Sequence, residues 1–157
     1  MEPVPLCRGE VILTIEQPQQ MMSIDWKSSC AAAVVVPDVM SIAAAKSHVG
    51  KRPIGALIQA DGWNPEEDFG AKWPSERLIG RFKNIARRAI HAHADFFYLR
   101  MRQNLHVLRA AVLAITDQSG LGILVELPVD EDGRTADGSS AMAVVGILQR
   151  IGVAGVI

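Results

Sequence analysis

The polar residues that could carry chemistry stand at the ends of apolar runs. Arg100 closes FFYLR, Glu126 closes ILVE, Asp61 follows IGALIQA, and Arg134 lies within the polar loop DEDGRTADG. In parallel α/β folds, ligands gather at the C-terminal ends of the strands. Asp61, Arg100, Glu126 and Arg134 are therefore the candidate substrate-binding residues, placed by strand-end logic with no catalytic step assigned to any of them. Glu16-Gln17, Asp38 and Gln59 occupy the other strand ends. His91, His93 and Asp95, in HAHAD, have the residue types of a metal site. Residues two apart on a helix point to different faces, so joint ligation would need the helix to have ended already, and no metal ligand is assigned. The acidic residues of DEDGRTADG could attract a cation or its amides a phosphate, but their spacing is not that of a calcium loop. Arg77, Arg81, Lys83, Arg87, Arg88, Arg102 and Arg109 lack interleaved aromatics or a nucleic-acid motif and read as solvated helix faces.

The elements that must position these residues alternate. VILTI from Val11, AAAVVV from Ala31, IGALIQ from Ile54, FFYL from Phe96 and ILV from Ile123 are short apolar runs, the pattern of strands covered on both faces. Between them lie helices: a short one within Ser23–Ser29, one from Val39 to His48 ended by Gly50, a long one capped by Ser75, and one from Leu105 to Thr116. Leu78, Ile79, Phe82, Ile85, Ala86, Ala89 and Ile90 recur at helical spacing along the long one. Pro128 stops the fifth strand, Ser139 or Ser140 is placed to N-cap a last helix, and Gly152 ends it. Val153 then opens a sixth buried strand. Residues 1–10 are a loose lead-in, and 60–74 form a long loop containing Trp63 and Trp73.

Six strands alternating with helices call for a parallel sheet with right-handed crossovers. The whole of 1–157 reads as a single α/β domain, either an open doubly wound sheet or about six units of a TIM (β/α)8 barrel, which takes ~250 residues when complete. Composition narrows the class further. The chain is 49% hydrophobic but only 5% aromatic, and 16 basic against 17 acidic residues leave a net charge of -1. That balance excludes a general nucleic-acid binder. Two cysteines, Cys7 and Cys30, make no disulfide framework, which points to a cytoplasmic setting. No apolar run is long enough for a membrane span.

The order of these motifs resembles the homocysteine S-methyltransferase family, a zinc-dependent barrel family. Asp130 to Ser139 matches its loop "D-x-x-G-R-x-x-D-G-(S/T)", and the following helix has its ending "L-x-x-(L/M)-G". Glu76 through Phe97 is similar to its helix and fourth strand, and LHVLRAAVLAI from Leu105 to its next helix. The resemblance covers residues 50–157 and decides the expectation in favour of an incomplete barrel. It implies methyl transfer to the homocysteine thiol, giving methionine, with zinc and a methyl donor such as methyl-folate, a methylcorrinoid or S-methylmethionine. The chain departs from the family at its sites. Glu16-Gln17-Pro18 does not match the first-strand turn, and Gln59-Ala60-Asp61-Gly62 keeps only the last glycine of the third. Arg100-Met101 stands where the family has Glu-Thr. The three zinc-binding cysteines fall beyond Ile157, and Cys7 and Cys30 are misplaced for the role. No cofactor is therefore assigned to this chain itself.

Two expectations result: a methyltransferase-like domain whose thiol substrate site would be completed by further sequence, and a non-catalytic binding or assembly module that kept the barrel grammar. A small anion-binding α/β domain is a third. In each case exposed strand edges call for cover, from a homo-oligomer or from a C-terminal segment beyond Ile157. No nucleic-acid or membrane partner is expected.

Overall fold

In a computed structural model of the chain, the structure describes residues 11–15, 17–27, 29–59, 76–100 and 105–157. Among these residues six strands alternate with helices. They are β1 (Val11–Thr14), β2 (Ala31–Val36), β3 (Ile54–Gln59), β4 (Phe96–Arg100), β5 (Ile123–Glu126) and β6 (Gly155–Val156). Between them lie α1 (Pro18–Ser23), α2 (Val39–His48), α3 (Glu76–His91), α4 (Leu105–Thr116) and α5 (Ala141–Arg150). All five strand pairings are parallel, and the order across the sheet is the order along the chain. A doubly wound sheet reverses its strand order at a switch point. This one never does, so the open-sheet alternative is excluded. The sheet is a curled half-barrel, part of a TIM-barrel-like fold.

Each face of the sheet has its own packing. Val34, Val36, Ile54, Ala56, Ile58, Phe97, Leu99, Ile123 and Val125 bury against the helices, with Leu78, Phe82, Ala86, Val107, Ala111, Ile115, Val144 and Leu148 opposite them. The alternate residues Val35, Leu57 and Tyr98 form a second buried cluster with Ile12, Phe96 and Leu124 against it, all of them from strands. Near-continuous apolar strands are the sequence expression of this two-sided burial. Gly55 is needed on the second face, since the Phe96 ring of β4 lies where its Cβ would stand.

Helix ends follow local chemistry. After α3, His93 donates its backbone N–H to Ile90 and Ala94 donates to Ala89, the paired bonds of a Schellman motif. His93 takes the left-handed residue of that motif, with φ 62°. Gly152, at φ 94°, does the same after α5, where Gly152 donates to Gln149 and Val153 to Leu148.

Four expectations are corrected. The first helix is Pro18–Ser23 and not within Ser23–Ser29, because Pro18 fits a first helical turn and Gln17 N–H donates back to Gln20 Oε1 at 3.2 Å. Ser140 is the N-cap residue of α5, but its hydroxyl makes no capping bond; the carbonyl of Gly133 accepts from Ala141 N–H instead. β4 and β5 each run one residue further than the apolar pattern, taking in Arg100 and Glu126. β6 is a two-residue, half-buried edge strand, paired among the described residues with β5 alone. Ser75, Trp63 and Trp73 lie outside the described residues.

Candidate functional site

Strand register assembles the site. Gln59 pairs with Arg100, and Arg100 pairs with Glu126, so the last residues of β3, β4 and β5 form one row across the sheet. Tyr98 stands two residues before Arg100 and shares its face. The row and this tyrosine share the face whose buried cluster is made, among the described residues, by strands alone, and the row stands at the C-terminal ends of the strands.

The side chains close into one arrangement. Arg100 Nε donates to Glu126 Oε2 at 2.6 Å, and the Tyr98 hydroxyl donates to the same oxygen at 3.0 Å. The guanidinium carbon lies 6.0 Å from the Tyr98 ring centroid, within cation–π range. Tyr98 is buried, whereas Arg100 and Glu126 are half-buried. Burial first, and then the Glu126 carboxylate, push the Tyr98 phenol above its usual pKa and keep it a donor. The bond to Glu126 raises Arg100 further. The result is a permanent cation held at the strand ends by a carboxylate and a phenol. Nε makes the bond to Glu126, and a planar guanidinium is a shape that matches a carboxylate or phosphate.

The structure brings together two of the four candidates and shows a third bonded within its own loop. Arg100 and Glu126 are the ion pair. Arg134 braces its own loop: Nη1 donates to the Gly138 carbonyl at 3.0 Å, and its backbone N–H donates to Asp130 Oδ1 at 2.8 Å. Asp61 lies outside the described residues, as do Glu16 and Met101. Asp38 is consumed as the N-cap of α2, accepting from Ser41 N–H at 2.9 Å and Ser41 Oγ at 2.7 Å. Burial opposes ionisation of Asp38, but the bonds from Ser41 outweigh it and lower its pKa. Within HAHAD, Asp95 Oδ2 accepts from Ile54 N–H at 2.8 Å, a link between strand ends far from the row. No three His, Cys, Asp or Glu among the described residues come together as a metal site. Sequence reasoning missed Tyr98, although its spacing of two from Arg100 in a strand was the available signal.

The loop after β5 is braced from within. Asp137 accepts from Thr135 Oγ1 at 2.6 Å and from Ser139 N–H at 3.1 Å, and it reaches Leu105 N–H at the start of α4 at 3.4 Å. These bonds, Thr135 foremost, lower its pKa to about 2. A hollow of about 270 Å³ lies between α2, β3 and α3, and its lining includes Asp38, Gln59 and Arg88. It shares Gln59 with the row, while Tyr98, Arg100 and Glu126 do not line it. No helix among the described residues is long and apolar enough to cross a membrane.

Fold and site together define a βα half-barrel with a charged row at its strand ends. Among solved structures, the chain is similar to the carboxyl transferase domain of Rhizobium etli pyruvate carboxylase with pyruvate and biocytin. That match has a TM-score of 0.65 at 13% identity and covers 94% of this chain and 26% of that one. The same domain with pyruvate gives 0.57 at 14% identity, covering 88% and 22%. The chain thus spans about a quarter of the length of the structures it matches. At such identities the likeness establishes the fold alone. No protein-family model and no curated protein matches the sequence.

These findings overturn the resemblance to the homocysteine S-methyltransferases. No model of that family matches, and the structural neighbours are carboxyl transferase domains. The motifs that carried the resemblance do structural work that any βα unit requires. Gly133 and Gly138 have φ 70° and 80° in the loop, Asp137 ties that loop to α4, and Gly152 ends α5. Homocysteine, zinc and the methyl donor lose their basis with it.

Proposed function

We propose that the chain is a small-anion-binding part of a TIM-barrel-like protein, with Arg100 as the group that receives the anion. The supporting observation is the Arg100–Glu126–Tyr98 arrangement at the C-terminal strand ends, where a guanidinium is fixed by two partners at the face that parallel barrels use for ligands. Fixing it in advance lowers the ordering cost of binding. The ligand class is a small carboxylate. Pyruvate, bound by a structural neighbour, is such a molecule, and it serves as the probe. Calorimetric titration of the protein with sodium pyruvate is expected to give saturable binding that Arg100→Gln weakens at least ~10-fold, the loss of about one charged hydrogen-bonding group. Equal binding by the Arg100→Gln variant, or none by either protein, rejects the reading.

The assembly alternative has its own observation: among the described residues, β1 and β6 are the edge strands, each paired on one side. Unpaired edges favour association. Sedimentation of the protein over a range of concentrations tests it, and a monomer throughout rejects self-association.

A further inference from the structure

Resting on that reading, we infer that Glu126 makes the site selective for singly charged carboxylates over doubly charged anions. The described residues of the row and its neighbour supply one cation, Arg100, and one carboxylate, Glu126, with Gln59 and Tyr98 as neutral polar groups. Glu126 Oε2 is 2.6 Å from Arg100 Nε, so the field of the guanidinium is already largely matched before a ligand arrives. One ligand carboxylate can take the Nη side of the guanidinium, where it shares the cation with Glu126. A second negative charge finds no further cation among the described residues of the row and faces the Glu126 carboxylate instead.

Selectivity of this kind comes from a repulsive partner as much as from an attractive one. Both side chains are half-buried, where like-charge repulsion over a few ångströms is stronger than in bulk water. Tyr98 contributes by position: its hydroxyl donates to the oxygen that Arg100 uses and holds the Glu126 carboxylate on the row.

The test compares two three-carbon anions, pyruvate with one charge and malonate with two, by calorimetry at neutral pH and constant ionic strength. The protein is expected to bind pyruvate at least ~10-fold more tightly than malonate, and Glu126→Gln to reduce that ratio at least ~10-fold, chiefly by strengthening malonate. Tyr98→Phe keeps both charges and is expected to keep the ratio within ~3-fold, although both affinities fall. If Glu126→Gln does not fold, Glu126→Asp, which withdraws the charge by one methylene, is expected to shift the ratio in the same direction by a smaller factor. A ratio unchanged by the folded Glu126 variant, or malonate preferred by the unmodified protein, overturns the inference while leaving anion binding at Arg100 intact. Absence of saturable binding by both probes overturns the inference and the reading beneath it.

Discussion

Replacing Arg52 with alanine should cost more stability than any exposed charge in this chain. Its guanidinium lies between β2 and the segments on either side of it, and it donates to four backbone carbonyls. Nε reaches Ala31 O at 2.7 Å, Nη1 reaches Val49 O at 3.2 Å, and Nη2 reaches Trp26 O and Ser29 O at 2.9 Å each. The guanidinium carbon also lies 5.9 Å from the Trp26 ring centroid. A hydrogen bond from a charged donor contributes ~1.5–3 kcal/mol. Four of them share one half-buried side chain and are not additive, so the loss on Arg52→Ala is about 3 kcal/mol. Lysine keeps the charge without the planar fork and can reach only part of this set. Arg52→Lys should therefore cost about 2 kcal/mol. Urea unfolding followed by tryptophan fluorescence measures both, through the midpoint at constant m. An alanine variant within ~0.5 kcal/mol of the parent, the range of ordinary surface substitutions, would refute the account of Arg52 as the clasp of this end of the sheet.

Two further outcomes follow from the same geometry. His93 holds φ 62° at the end of α3, where glycine avoids the Cβ penalty. His93→Gly is therefore expected to stabilise the protein by ~0.5 kcal/mol, after the extra unfolded-chain entropy of glycine is deducted; a raised urea midpoint would bear this out and a lowered one would not. Asp137, with its pKa lowered to about 2 from 3.8, stabilises the folded state above the unfolded value, and this contribution is lost as pH falls from about 4 toward 2. Asp137 is exposed, so after discounting for solvent screening the contribution is ~1 kcal/mol or less. Asp137→Asn should thus differ from the parent in urea midpoint at pH 6 and converge with it near pH 2; a constant difference across that range would count against the assignment.

Local signals carried the fold, while the site depended on register. Apolar runs, Pro128 and Gly152 were enough to set out six βα-type units, because parallel strands buried on both faces and glycine-terminated helices leave marks within a few residues. They could also place Arg100 and Glu126 at strand ends. They could not show that the two are partners, since β4 and β5 are separated by a helix and their pairing is fixed by the packing of the whole sheet. Arg52 was silent for the same reason: three of its four acceptors are more than twenty residues away in sequence. Tyr98 was hidden by its own chemistry, reading as one more apolar residue in FFYLR although its hydroxyl joins the ion pair. The family resemblance failed in a different way. Its motifs were turns, caps and helix ends, which serve the architecture whatever chemistry the barrel carries.

The central claim is that Arg100, fixed by Glu126 and Tyr98, receives a small carboxylate. The most direct measurement is calorimetric titration of pyruvate into the protein and into its Arg100→Gln variant at equal ionic strength. Saturable binding by the parent, weakened at least ~10-fold in the variant, is the predicted result. Equal binding by the two proteins, or none by the parent, would contradict it.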